Sequence, residues 1–167
     1  MNQKISVLKY FGGLCSCLIL LLSACNHKDS CNIPCFNGVC VNNSCNCDLG
    51  YEGDSCTIAT TAKFIGSWNA VDSCQTNTYG YTITIAASSS IVNQILITNF
   101  GEYGTSFVVK ADISGMSFTV PLQLVEGITI SGSGEIDAFQ NTMTVNYTAE
   151  NQAHQTDACS GVWIKVQ

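Results

Sequence analysis

The 167-residue sequence contains no arginine, and charged residues of all kinds make up only 11% of it. Recognition of phosphate groups requires clustered positive charge and favours the planar guanidinium of arginine, whereas the formal net charge here is −6. Nucleic acid is therefore excluded as a partner. The sequence also lacks a hydrophobic run of the roughly 20 residues that a membrane-spanning helix requires.

The first 24 residues have the organisation of a secretory signal peptide. Lys4 and Lys9 precede a run of about nine apolar or small residues at 14–22. The run ends in Leu22-Ser23-Ala24-Cys25, which resembles the bacterial lipobox, where cleavage leaves a cysteine whose thiol receives diacylglycerol. The resemblance implies lipidation of Cys25 and a tether at residues 25–30. An ordinary signal peptide that stops beside a cysteine is the alternative.

Acyl chains such as palmitate on Cys25 would anchor the protein to a membrane, since each buried methylene contributes about 0.8 kcal/mol. Asn26 stands where an aspartate resembles the inner-membrane retention signal of enteric lipoproteins, so the expected location is the outer membrane. Lys28-Asp29 is similar to signals that send lipoproteins to the cell surface. The periplasmic face and the cell surface both remain open.

Of the eleven cysteines, Cys15 and Cys17 lie in the signal peptide and Cys25 is the lipidation site, which leaves eight. An even number of cysteines in an exported protein indicates disulfide bonds rather than metal ligation. Six of them follow the pattern Cys31-x3-Cys35-x4-Cys40-x4-Cys45-x-Cys47-x8-Cys56. Spacing alone leaves about 15 pairings open.

Residues 27–57 resemble the epidermal growth factor (EGF) module. Besides the cysteine spacing, the resemblance rests on Asn37-Gly38, which predicts a tight hairpin turn, and on Gly50, Tyr51 and Gly53. It implies the pairs Cys31–Cys40, Cys35–Cys45 and Cys47–Cys56. These bridges would replace a hydrophobic core, which about thirty residues cannot supply.

From residue 63 to residue 167 the sequence is rich in threonine, isoleucine, valine and aromatic residues, and apolar residues alternate with polar ones. This period of two predicts β-strands with one buried face. The predicted buried residues are Tyr79, Tyr81, Ile83 and Ile85; Phe107, Val109, Ala111 and Ile113; Met116, Phe118, Val120, Leu122 and Leu124; Ile128, Ile130 and Ile136; and Met143, Val145 and Tyr147.

About eight strands with short connections favour an antiparallel, up-and-down order, and eight such strands can close into a barrel. A two-sheet β-sandwich is the alternative. Cys74 and Cys159 are the two cysteines left, and we predict a fourth disulfide between them. This bridge would join the first strand to the last and suits either architecture.

The segment Phe64-Ile65-Gly66-Ser67-Trp68 resembles the Gly-x-Trp signature of the calycin superfamily, the lipocalins and avidins, whose tryptophan plugs the closed end of a barrel. The arginine that commonly packs on that tryptophan has no counterpart here. The resemblance implies a carrier of a small hydrophobic molecule. The inward-facing Gly132 and Gly134 would leave room for such a ligand beside Trp68, or they mark a bend or a close backbone contact.

The sequence contains no pattern that predicts catalysis, a cofactor or a metal site. His154 is the only histidine of the β domain, and a loop histidine beside Glu150, Asp157 and Ser160 is more often solvated than catalytic. Asp29 is the only acidic residue just before Cys31, whereas calcium needs about six to eight oxygen ligands. We therefore predict a non-enzymatic binding or interaction module that contacts a protein or a glycan, with the hydrophobic carrier as the alternative.

Overall fold

The computed structural model describes residues 31–167 of the chain. The predicted signal peptide, the lipidation site at Cys25 and the tether lie outside the described residues. Cys31–Gln167 form one compact unit, in which a disulfide-rich segment precedes a β-barrel. No helix in this range is long and apolar enough to cross a bilayer.

The disulfide-rich segment is built from two short antiparallel pairs: β1 (Gly38–Val41) with β2 (Ser44–Cys47), and β3 (Tyr51–Glu52) with β4 (Ile58–Ala59). Its disulfides join Cys31 to Cys40, Cys35 to Cys45 and Cys47 to Cys56, which confirms the three predicted pairs.

The predicted turn at Asn37-Gly38 is wrong, because Gly38 begins β1 and the turn that joins β1 to β2 is formed by Asn42 and Asn43, both at positive φ. Asparagine tolerates this conformation better than most residues. A Cβ at position 38 would overlap the carbonyl oxygen of Asn46. Gly38 therefore serves close packing within the hairpin.

Eight strands between residues 66 and 165 form a closed barrel. They are β5 (Gly66–Cys74), β6 (Thr78–Ala87), β7 (Gln94–Thr98), β8 (Val108–Ser114), β9 (Ser117–Val125), β10 (Ile128–Ile136), β11 (Thr142–Glu150) and β12 (Thr156–Lys165). Each strand pairs antiparallel with the next, and β12 pairs with β5 to complete the ring. The up-and-down barrel is confirmed, and the sandwich alternative is wrong.

The disulfide between Cys74 on β5 and Cys159 on β12 is present, as predicted. The two cysteines are direct cross-strand partners, so the bridge fastens the first barrel strand to the last where the ring closes. In the chain-entropy model, a link across 85 residues stabilises the fold by about 4.5 kcal/mol.

The interior of the barrel is filled with side chains. The largest fully buried ones are aromatic: Trp68, Trp163, Phe64, Phe100, Phe107 and Phe118. The ring of Trp163 stacks on Phe118, with centroids 6.2 Å apart, and meets the edge of Phe100 at 5.5 Å. A connected cluster of aromatic rings therefore occupies the space that a carrier would keep for its ligand.

Two predicted core residues lie on the opposite face, since Leu122 and Leu124 are 75% and 72% exposed. The register of β10 against β9 shifts between Ile130 and Gly132, where β9 contains one more residue than its partner. Such a β-bulge reverses the alternation of inward and outward side chains beyond it. The predicted faces of β9 are correct before the bulge and wrong after it.

One end of the barrel is closed by the segment that connects β4 to β5. A 3₁₀ helix (Thr60–Lys63) leads to Phe64, which is fully buried, and the Phe64 carbonyl accepts a hydrogen bond from Trp68 Nε1 at 2.8 Å. Trp68 thus lies at the closed end, the position that the Gly-x-Trp resemblance implies. Lys165 Nζ lies 5.2 Å from the centroid of the Trp68 ring, so a lysine supplies the cation that packs on this tryptophan.

The disulfide-rich segment is attached to the closed end by specific polar contacts. Lys63 Nζ donates to a Glu52 carboxylate oxygen at 2.7 Å and to the carbonyl oxygen of Gly115, between β8 and β9, at 3.0 Å. The Thr60 backbone nitrogen donates to the carbonyl of Gly50 at 2.9 Å. Because the lysine is almost fully buried, these partners offset the cost of removing its ammonium group from water.

Candidate functional site

The end of the barrel opposite the disulfide-rich segment, which we call the mouth, is formed by four connections. They are the turn at 75–77, the loop at 99–107, the turn at 126–127 and the loop at 151–155. Antiparallel strands in sequential order bring alternate connections to the same end of a barrel. Residues far apart in the sequence therefore meet at the mouth.

Beneath the mouth, the barrel encloses a carboxylate. Asp72 on β5 is fully buried. Its Oδ2 accepts hydrogen bonds from the hydroxyls of Tyr81 and Tyr147, the latter at 2.9 Å, and its Oδ1 accepts one from Trp163 Nε1 at 2.9 Å. A carboxylate without such partners would be very costly to bury, and hydrogen bonds to a charged acceptor are the strong ones.

Gly161 on β12 makes room for this carboxylate. It is the cross-strand partner of Asp72, and a Cβ at position 161 would overlap Asp72 Oδ1. The sequence-based predictions included neither residue. The sequence did contain a sign that Asp72 is buried, because the alternation that turns Trp68 and Ala70 inward also turns Asp72 inward.

Burial raises the pKa of both tyrosines that bind Asp72, Tyr81 and Tyr147. The neighbouring carboxylate raises each pKa further, because ionisation of either phenol would place a second negative charge beside the first. Both hydroxyls therefore remain protonated and continue to donate to Asp72 at neutral pH.

The loop at 99–107 rests on this network. The Gly101 backbone nitrogen donates to Tyr81 Oη at 3.0 Å, and the buried ring of Phe100 meets Tyr147 edge-on, with centroids 4.7 Å apart. Asn99 adopts the left-handed conformation, and its side chain bonds to the Thr82 carbonyl and the Gly104 nitrogen, each at 2.8 Å. These contacts hold the loop in a defined position.

A pocket of about 360 Å³ opens at the mouth. Its walls consist of three tyrosines, two carboxylates, one glycine and a disulfide: Tyr79, Tyr103, Tyr147, Glu102, Asp157, Gly101, Cys74 and Cys159. The Thr76 hydroxyl donates to the Asp157 carboxylate and lies 3.3 Å from Tyr79 Oη. The pocket thus combines aromatic rings with acidic groups.

The carboxylates around the pocket are not balanced by lysines. The acidic residues at the mouth are Glu102, Glu126, Glu150 and Asp157. Among the lysines of residues 31–167, Lys63 and Lys165 bond at the closed end, and Lys110 lies on the exposed face of β8. Burial, followed by the nearby Asp157 carboxylate, raises the pKa of Tyr103. The side chains that line the pocket therefore include two carboxylates and no lysine.

The predicted ligand cavity at Trp68, Gly132 and Gly134 is occupied by the protein itself. A Cβ at position 134 would overlap the ring of Phe118, and one at position 132 would lie 2.6 Å from the Cβ of Tyr147. Trp68 is fully buried in the closed end. Gly132 and Gly134 therefore allow close contacts between neighbouring strands, the alternative that the sequence left open, and they do not open a ligand cavity.

His154 is an exposed residue of the loop at 151–155, with Nδ1 2.6 Å from a Glu150 carboxylate oxygen. Asp157, which the sequence places near this histidine, accepts a hydrogen bond from the Thr76 hydroxyl instead. The sulfur atoms of Cys74 and Cys159 lie near the Asp157 carboxylate, but their disulfide bond removes the thiolates that a metal would require.

No protein-family model and no curated protein matches the chain. Among solved structures, the chain is similar to a protein of unknown function from Bacteroides ovatus, with 13% identity and a TM-score of 0.42 over 60% of this chain and 41% of that one. It is also similar to a protein of unknown function from the DUF3598 family of Nostoc punctiforme, with 14% identity and a TM-score of 0.39 over 62% of this chain and 48% of that one. The chain spans less than half the length of either protein, so the chemistry of the mouth has to be inferred from its own residues.

Proposed function

We propose that the protein is a non-enzymatic binding protein of the cell envelope, anchored to the outer membrane through acyl chains on Cys25, and that it binds its ligand at the mouth of the barrel. The lipobox-like segment at 22–25 supports the anchor. The ligand belongs to a protein, a glycan or a small molecule that reaches the envelope compartment.

The mouth pocket is the observation that carries the binding function. Ligand sites are typically concave, with aromatic or apolar walls and a few polar groups held in place. The pocket meets this description, since the rings of Tyr79 and Tyr103 flank carboxylates and the disulfide fixes one wall. Depressions of similar volume near Asp137 and near Val162 have no aromatic side chain in their walls.

The disulfide-rich segment fits the role of an EGF-like spacer. Its pairing of first with third, second with fourth and fifth with sixth cysteine is the EGF pattern that the sequence implies. The chain leaves the proposed anchor, passes through this segment and enters the barrel at the closed end, where Lys63 binds Glu52. The mouth lies at the other end of the barrel and is available to a ligand.

Nuclear magnetic resonance of isotope-labelled residues 26–167, exported to an oxidising periplasm, tests the binding function. Three sets of small molecules serve as probes: neutral saccharides, organic ammonium ions and apolar fragments. We expect amide shifts to cluster at 99–107 and 151–157. Shifts centred on Gly132 and Gly134 would favour the interior carrier, and the absence of mouth shifts with all three sets would overturn the proposal.

Two leucine substitutions provide a matched pair for this experiment. Tyr103→Leu removes an aromatic wall of the pocket, and we expect it to weaken several-fold the binding that produces the mouth shifts. Phe139→Leu removes an aromatic ring that is 85% exposed at the opposite end of the barrel, and the shifts should persist. Equal effects of the two substitutions would contradict a binding site at the mouth.

Anchoring is tested separately in intact cells. We expect the wild-type protein in the outer-membrane fraction with a mass that includes acyl chains, and Cys25→Ser absent from that fraction and without acyl chains. Recovery of Cys25→Ser in the outer-membrane fraction would contradict a lipid anchor. Protease treatment of intact cells then distinguishes the cell surface, where the protein is degraded, from the periplasmic face.

A further inference from the structure

We propose that the mouth pocket binds an organic ammonium group, which lies among the rings of Tyr79, Tyr103 and Tyr147 and beside the carboxylates of Glu102 and Asp157. This inference rests on the proposed function, since it names the chemistry of the ligand that the mouth takes.

The composition of the walls selects for a cation. The face of an aromatic ring attracts a cation, and the attraction is stronger where water is excluded. Two carboxylates add negative charge, and the residues described as lining the pocket include no lysine, histidine or side-chain amide. An anion would be repelled, and a neutral sugar would find more acceptors than donors in these walls.

The hydroxyls of two of the three tyrosines already have partners. Tyr147 Oη donates to Asp72 at 2.9 Å, and Tyr79 Oη lies 3.3 Å from the Thr76 hydroxyl. These two residues therefore offer a ligand mainly ring surface, most of it on the half-buried Tyr79, because Tyr147 is only 5% exposed. This arrangement favours contact with the hydrogens or methyl groups of an ammonium ion over hydrogen bonding to hydroxyls.

The tyrosine rings and carboxylates that line the pocket, which we call the cage, are held in place before any ligand binds. Tyr147 is fixed by the buried Asp72, the Gly101 nitrogen is bonded to Tyr81, and the Cys74–Cys159 bridge forms one wall. A preorganised site loses little conformational entropy on binding, so weak individual attractions add up to measurable affinity.

A second depression of about 290 Å³ adjoins the pocket and shares Tyr103 and Asp157 with it. Its other walls include Asn151, Gln155 and Thr156, which supply both donors and acceptors. The ligand is therefore an ammonium group joined to a polar neutral portion. Choline-like compounds and the lysine side chain of a peptide both have this chemistry.

Choline and its neutral isostere, 3,3-dimethyl-1-butanol, provide the decisive comparison because they differ in charge and hardly in shape. We expect choline to shift the amides at 99–107 of the labelled protein at low ionic strength, and the isostere to bind roughly tenfold more weakly, which corresponds to about 1.4 kcal/mol. N-acetyl-lysine methylamide is titrated in parallel. The tighter of the two cations assigns the ligand to the free compound or to the peptide.

Variants test the two parts of the cage. Asp157→Asn and Tyr103→Leu should each weaken choline binding several-fold, and Tyr103→Phe should restore it because the ring is retained. Glu126→Gln removes a carboxylate at the same end of the barrel that does not line the pocket. Choline binding to this control should stay within about twofold of wild type, since an exposed carboxylate that does not line the pocket contributes little.

The outcomes separate this inference from the proposed function. Equal binding of choline and its neutral isostere, or mouth shifts with neutral saccharides alone, would overturn the ammonium assignment and leave the mouth as a binding site. The absence of mouth shifts with every probe would overturn both. Weakening by Glu126→Gln as large as that by Asp157→Asn would show general charge attraction and would also overturn the cage.

Discussion

Asp72→Asn preserves the size of the buried side chain and removes its charge, and we expect it to lower the free energy of unfolding by about 2–4 kcal/mol. The native carboxylate accepts from Tyr81 and Tyr147 on one oxygen and from Trp163 on the other. Asparagine offers one acceptor and one amide donor. Either orientation therefore turns the amide toward a group that donates in the native protein.

The magnitude follows from the number of bonds affected. Hydrogen bonds to a charged group contribute about 1.5–3 kcal/mol each and neutral ones about 0.5–1.5 kcal/mol, while a buried donor left without an acceptor costs about 1–3 kcal/mol. Removal of the buried charge offsets part of the loss, because the asparagine is cheaper to desolvate. The expected net loss of about 2–4 kcal/mol is a large fraction of the free energy of unfolding of a typical protein, about 5–15 kcal/mol.

Urea unfolding at pH 7 with the disulfides intact, followed by tryptophan fluorescence, measures this change. Asp112→Asn is the matched control, since Asp112 is an exposed strand residue whose carboxylate accepts a bond from Gln94 Nε2 at 3.0 Å. The control should stay within about 0.5 kcal/mol of wild type. A change equally small for Asp72→Asn would refute the view that the buried charge is held by its three donors.

The pKa values of Tyr81 and Tyr147 are raised in the folded protein, so their contribution to stability is fully present below the unfolded pKa of about 10 and is lost as the pH rises above it. An absorbance titration should show both ionising only as the protein unfolds; ionisation of every tyrosine near pH 10 in a folded protein would contradict this. Gly161→Ala should lower the free energy of unfolding in urea by about 2–3 kcal/mol. The control Gly80→Ala, whose Cβ meets nothing within 4 Å, should change it by less than about 0.5 kcal/mol. Similar losses for the two variants would mean that the buried carboxylate does not need the space at Gly161. Leu124→Ser should also cost less than about 0.5 kcal/mol in the same assay, and a loss above about 2 kcal/mol would place Leu124 in the core.

Local patterns were sufficient to predict most of the barrel. Val109 and Phe118 face inward as predicted, because the direction of a side chain in a strand depends on its own backbone. The same rule failed at Leu122 and Leu124, because the bulge depends on how β9 pairs with β10. The position of a bulge is a property of two strands, and the alternation within one strand does not contain it.

The residues of the candidate site were harder to predict from the sequence than the strands of the barrel. The cysteine pairs of the disulfide-rich segment, which spacing alone left open, were predicted through the resemblance of residues 27–57 to the EGF module. The pocket combines residues as distant as Tyr79, Tyr103 and Asp157, which become neighbours only when the ring closes. No local motif marks such a set.

By itself, the sequence predicted the four described disulfides, three through the resemblance to the EGF module and one because two cysteines were left, and it predicted the alternating faces of a β domain, which follow from residue type and spacing. Only the tertiary structure decided that Gly134 is packed against Phe118, that Asp72 is buried among three donors, and that the tyrosines meet at the mouth. The physical reason is that the free energy of a buried polar group, or of the space beside a glycine, depends on the partner strand, and pairing across the closed barrel sets that partner.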